Sequence, residues 1–249
     1  MSGAPTIDLC STAAEMADVV AVFAEVWGSE TPVVTVEMLV AIAHSGGYVS
    51  VARDDTDGTA LGASVGFLAR HDDRPALHSH VTGLLPRARG TGLGREIKLH
   101  QRAWAAANGL ESIVWTFDPL VRRNAWFNIA VLGADVVEYL PSFYGTMTDA
   151  INAGDDSDRL LVEWDVKRPL LDEPRDGSDS VGPAESSEST ESAELVATPD
   201  DVVELRRTDP GAVAAWRSRT RTALSSALAD GRPIVGFTRA GEYVIGSAP

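Results

Sequence analysis

Apolar and polar positions alternate along this chain with two periods, and the switches between them mark the elements. Residues 6–10 form a short strand candidate. Thr12-x-x-Glu15 is a capping box, and Met16, Val19, Val20, Phe23 and Trp27 then recur on one helical face that Gly28 closes. A shorter helix over residues 36–44 ends at Gly46 and Gly47. Three strands in a meander follow, over residues 48–53, 60–70 and 76–85. After a glycine-rich turn, Leu93, Ile97, Trp104 and Ala107 set a helical period that runs to about Asn108. Residues 112–117 are almost wholly apolar, as a buried strand requires. A helix over residues 124–132 and strands over 136–140 and 160–166 complete the order β-α-α-β-β-β-α-β-α-β-β, with a long loop over 141–157.

Beyond this region the pattern stops. Residues 171–194 are Ser, Glu, Asp, Gly and Pro with little that is apolar, which predicts a disordered linker. Periodicity resumes in a tail over residues 195–249. It holds helical segments at 199–207 and 211–229, the second with Val213, Trp216, Thr220 and Leu224 on one face. Strand candidates at 233–237 and 243–245 then make a hairpin. About 55 residues form a small core, so this extension is expected to dock on residues 1–170 or on a second subunit of a homodimer.

Composition adds limits. The net charge of −15 argues against broad binding to nucleic acid, although the linker from Asp172 to Glu194 alone carries eight acidic residues against one arginine. A single cysteine, Cys10, excludes a disulfide framework and suits a reducing cytoplasm. No apolar run is long enough to span a bilayer, and no signal pattern opens the chain, so a cytoplasmic protein without membrane contact is expected.

The candidate chemistry lies between residues 78 and 94. Strand residues lead through Pro86 into Arg87-Ala88-Arg89-Gly90-Thr91-Gly92-Leu93-Gly94, where glycines allow a turn whose amides point inward at the start of a helix. Such a terminus attracts phosphate. The dinucleotide fingerprint fails because Arg95 stands at its third glycine, and a Walker A loop fails for want of Gly-Lys-Ser/Thr. Arg89-x-x-Gly92-x-Gly94 instead resembles the pyrophosphate turn of the GCN5-related N-acetyltransferases, and the element order over residues 5–166 is similar to theirs. Arg87-x-x-Gly90-x-Gly92 fits out of register; Arg89 is preferred because Leu93 then begins the helical face.

The resemblance implies an α/β fold with a mixed central sheet flanked by helices. It implies acetyl-CoA or another acyl-CoA as co-substrate, no metal, and a small-molecule or peptide amine as acceptor. The pantetheine arm would pair with the backbone of Gly83, Leu84 and Leu85. The pyrophosphate would sit on Arg89, Gly90, Thr91, Gly92, Leu93 and Gly94. Arg95, Lys98 and Arg102 form a basic stripe on the following helix that reads as a solvated face, with a contact from Lys98 or Arg95 to a cofactor phosphate as its other reading. Asn124 stands where the family has an asparagine on the cofactor arm, and helix N-capping is its other reading. His78 and His80, two apart on a strand, face the same way and are candidates for the base, against a role as structural histidines or a metal pair. The family's thiolate-protonating tyrosine would fall at Ile129 and is missing; Tyr139 or Tyr144 would have to substitute, and Tyr144 is the candidate named here. That gap keeps a CoA-binding module without turnover as the alternative function.

Overall fold

The computed structural model describes residues 4–28, 32–145, 155–180 and 193–248. The chain packs as two compact units, Met1–Trp115 with Asp165–Lys167, and Thr116–Trp164 with Arg168–Pro249. The tail shares its unit with residues 116–164.

In the first unit the strands are β1 (Thr6–Leu9), β2 (Tyr48–Arg53), β3 (Ala60–His71), β4 (Arg74–Leu84) and β5 (Ser112–Phe117, whose last two residues belong to the other unit). They are hydrogen-bonded in that order. The first four pair antiparallel, and β4 pairs with β5 in parallel. The fold is therefore the mixed α/β sheet expected. Helix α1 (Ala13–Trp27) starts in the Thr12/Glu15 capping box and stops at Gly28 in the left-handed region. With α2 (Val36–His44) it covers one face of the sheet, burying Met16, Val19, Phe23 and Leu39 against Val49, Val51, Ala63 and Val65. Ala52 alternates to the other face, where Leu93 and Ile97 of α3 (Leu93–Ala107) cover it.

The buried stripe of α3 is Leu93, Ile97, Lys98, Gln101 and Ala105. Trp104 is only half-buried and Ala107 is exposed, which corrects the face drawn from the sequence. The polar side chains turn inward because they bond one another beneath the sheet.

The second unit holds α4 (Arg122–Ala125), which continues as a π-helical stretch Trp126–Val131, and the antiparallel pair β6 (Asp135–Leu140) and β7 (Arg159–Asp165). Its tail contains β8 (Glu194–Ala197), α5 (Val202–Thr208), α6 (Pro210–Ala229), β9 (Ile234–Phe237) and β10 (Glu242–Ile245). The expected hairpin is a three-stranded sheet in the order β8-β10-β9, because Glu194 to Ala197 pair with β10. The linker is also shorter at its start. Gly177–Ser180 forms a 3-10 turn, and a Cβ at Gly177 would fall 2.8 Å from Val244, so only glycine allows that approach. Residues 181–192 lie outside the described residues.

Ion pairs fix the tail within its unit. Arg217 of α6 bonds Asp118 at 2.6 Å and Asp155 at 2.5 Å, and Arg206 of α5 bonds the same two carboxylates. Burial alone would raise Asp118, but the two guanidiniums outweigh it and hold the carboxyl below its usual range. Arg217 thus occupies the buried face of α6 beside Val213, Thr220 and Leu224, while Trp216 is only half-buried.

Candidate active site

Strand β4 carries the site. Its parallel ladder with β5 ends at His78↔Val114, although β4 runs on to Leu84. On the other edge its antiparallel ladder with β3 slips at Val65/Gly66, so that Val81 pairs with Val65 and Ser79 with Gly66. His80 is the extra residue of this β-bulge.

The alternation of the β3–β4 ladder decides which backbone groups are available. The Leu85 amide donates to the Leu61 carbonyl, which makes Gly83 and Leu85 the inward-bonded positions. Thr82 and Leu84 then direct their amides and carbonyls to the edge that β5 leaves free. Of the three residues expected to hold a pantetheine arm, Leu84 alone presents its backbone, and Thr82 joins it. Gly83 serves packing instead: a Cβ there would fall 2.9 Å from the Trp27 ring.

A 3-10 turn at Pro86–Ala88 takes the chain off the strand, and Gly92 caps α3. Gly90 and Gly92 have φ values of 76° and 91°, which favour glycine, and nothing lies within 4 Å of either Cβ position. Among the described residues the amides of Gly90, Thr91 and Gly92 have no hydrogen-bond partner. The Thr91 hydroxyl donates to the Ala88 carbonyl and accepts weakly from the Leu93 amide at 3.4 Å. Gly94 lies in the first helical turn. The Arg89 side chain is exposed and folds back on the Leu84 carbonyl at 3.3 Å, while Arg87 bonds the Ala60 carbonyl. Open amides, open space and an arginine at the start of a 15-residue helix suit a pyrophosphate.

The two histidines do share a face. The Phe67 ring stacks on His78 at 4.9 Å and lies 5.6 Å from His80, and the two imidazoles are 6.2 Å apart. Both imidazoles are less basic than an ordinary histidine. Burial, then His80, then Lys98 push His78 down to about 4, and burial lowers the exposed-edge His80 as well. Both are neutral at pH 7.

Lys98 is not a phosphate contact. It is 5 % exposed and points beneath the sheet. Its Nζ donates to Ser79 Oγ at 2.9 Å and Gln101 Oε1 at 3.3 Å, and lies 3.9 Å from the centre of the Trp115 ring. Gln101 in turn donates to Ser64, whose hydroxyl meets that of Thr82. The burial of Lys98 corrects the solvated basic stripe expected of Arg95, Lys98 and Arg102 at its middle member. Its spacing of one from Ile97 and three from Gln101 was the available signal.

The remaining candidates lie in the second unit. Asn124 is the third residue of α4 and its amide bonds the Val121 carbonyl, so it is not the N-cap. Ile129, in place of the family's tyrosine, is buried in the π-helical stretch. Tyr139 cannot easily substitute, because its buried hydroxyl donates to Asp158 at 2.6 Å. Tyr144 is exposed, with its ring against Phe143 and under the Arg159 guanidinium.

Neither a family description nor any curated protein sequence matches this chain. Solved structures do. YncA from Salmonella typhimurium, a proposed acetyltransferase solved with its cofactor acetyl-CoA, superposes with a TM-score of 0.51 at 16 % identity, covering 68 % of this chain and 98 % of its own. The ribosomal-protein-S5-alanine acetyltransferase from Vibrio fischeri gives 0.50 at 15 %, covering 66 % and 94 %. The fold is that of the GCN5-related N-acetyltransferases. Within it, the turn after β4 and the free edge of that strand are features of this chain itself. No helix among the described residues is long and apolar enough to cross a membrane.

Proposed function

We propose that this protein transfers an acetyl or other short acyl group from acyl-CoA to a small-molecule or peptide amine. The observation that carries the reading is the free edge of β4 running into a turn with unpartnered amides. Thr82 and Leu84 offer alternating donors and acceptors to an extended amide-bearing arm, and Gly90, Thr91, Gly92 and Arg89 offer donors to its pyrophosphate. Acyl transfer also needs the amine freed of its proton. His80, at the bulge and open to solvent, takes that proton, and His78, packed under Phe67, holds the neighbouring ring in place. The second reading, a CoA-binding module without turnover, is favoured by Ile129 and by the commitment of Tyr139 to Asp158.

Release of free thiol from acetyl-CoA across a panel of amines separates the two. His80→Gln is expected to lower turnover by about a hundred- to ten-thousandfold, and His78→Gln by less. Because burial holds the His80 imidazole below its ordinary value of 6.5, the acidic limb of the rate should lie below pH 6.5. The depression at His78 acts on stability. As pH falls from about 6.5 towards 4 the unfolded chain takes up a proton that the folded one refuses, so wild type loses stability in that window and His78→Gln loses less. Full turnover with an unchanged acidic limb in both variants would make the histidines structural.

A further inference from the structure

The buried ammonium of Lys98 stands at a special place in the sheet. His78 and Val114 are the last paired residues of β4 and β5, and the next residue on each strand is Ser79 and Trp115. Lys98 contacts both, so its Nζ sits at the fork where the two strands part. It enters from the α3 face, whereas His78, which alternates with Ser79, faces the other side.

Among the described residues everything facing this cation is uncharged: Ser79 from β4, Trp115 from β5 and Gln101 from its own helix. Ser64 of β3 is reached through Gln101. Among the described residues no carboxylate pairs with it. The titratable group that registers its charge is His78, on the opposite face. A buried charge without a counter-charge is costly, and a fold that needed only packing would place an apolar side chain here.

We propose that Lys98 Nζ lies beside the sulfur of acyl-CoA bound along the free edge of β4 and gives its proton to the departing thiolate. The inference rests on the acyl-CoA reading above. It supplies the donor that Ile129 lacks. The amine nitrogen attacks the thioester carbonyl from the His78/His80 face, forming the C–N bond. The C–S bond breaks, its electron pair goes to sulfur, and a proton from Lys98 Nζ makes the free thiol. The proton lost by the amine passes through His80 to solvent, and neutral Lys98 regains one from solvent, so an amide and CoA thiol are the only products. Burial pushes Lys98 down to about 7, so its ammonium proton is labile near neutral pH.

The test needs no known acceptor. Coenzyme A is bound to wild type, Lys98→Met and Lys98→Gln, and ionisation of its thiol is followed by thiolate ultraviolet absorbance, with the desulfo-CoA complex as blank. Wild type is expected to lower the thiol's ionisation by one pH unit or more relative to free coenzyme A, and both variants to return it to the free value. Melting curves with and without coenzyme A are recorded in parallel. A retained melting shift with thiol ionisation that is the same in wild type and variants would overturn the role of Lys98 alone. No melting shift in wild type would overturn the acyl-CoA reading and this inference with it. If neither variant folds, wild type decides: a bound thiol that ionises as it does free in solution refutes the proposal.

Discussion

Replacing Arg217 with methionine is expected to destabilise the second unit by about 3–5 kcal/mol, a fall in melting temperature of roughly ten degrees. Arg217 is 3 % exposed and bonds both Asp118 and Asp155, which are themselves buried. Two carboxylates facing two guanidiniums are neutral as a set. Methionine fills a similar volume but leaves the carboxylates with Arg206 alone, and an uncompensated buried charge is the costly outcome. Arg207 is the internal control. It is exposed and pairs with Glu204 one turn away, so Arg207→Ala should change stability by less than about 0.5 kcal/mol. Denaturant melts of the two variants give the comparison. Equal small losses would mean that the tail is held by apolar packing and not by the ion cluster.

The second large effect belongs to the glycine turn. Gly92→Glu is expected to weaken acetyl-CoA binding at least a hundredfold, about 2.7 kcal/mol. Its side chain enters the open space over the helix start and sets a carboxylate where phosphate oxygens would lie. Hydrogen bonds to a charged ligand contribute about 1.5–3 kcal/mol each, so two lost amide contacts suffice. A φ of 91° strains any residue but glycine, so Arg89→Glu is the companion variant: it reverses an exposed charge without touching the backbone. Calorimetric titration of both, with melting curves to show that each is folded, reads the effect. Unchanged affinity in Arg89→Glu and in a folded Gly92→Glu would move the phosphate elsewhere.

Much of the first unit was legible because its signals are local. The capping box at Thr12, the stop at Gly28 and the strand–turn–helix around Gly90 and Gly92 each depend on residues within a few positions, and all are observed. What was missed depends on partners far away in sequence. The bulge at His80 is a property of the β3–β4 register and is invisible in β4 alone. Lys98 is buried because Ser79 and Trp115 meet it from two strands, and a polar residue beside an apolar stripe looks solvated until those partners are known. Arg217 pairs with Asp118 at a separation of 99 residues. The same non-local pairing ties the tail to residues 116–164 within one unit. Only Glu194 falls in the expected linker, and Leu195 to Ala197 carry no expected element, because a four-residue edge strand has too little pattern of its own.

Hydrogen exchange with and without acetyl-CoA tests the central claim most directly, since it reports position as well as binding. A ligand along the free edge of β4 and over the glycine turn should slow exchange at the amides of Thr82 and Leu84 and at Gly90, Thr91, Gly92 and Gly94. Gly83 and Leu85, already bonded towards β3, should change little. ATP at the same concentration should leave all of these amides unaltered. Protection confined to other segments, or none at saturating acetyl-CoA, would contradict an acyl-CoA site on this strand.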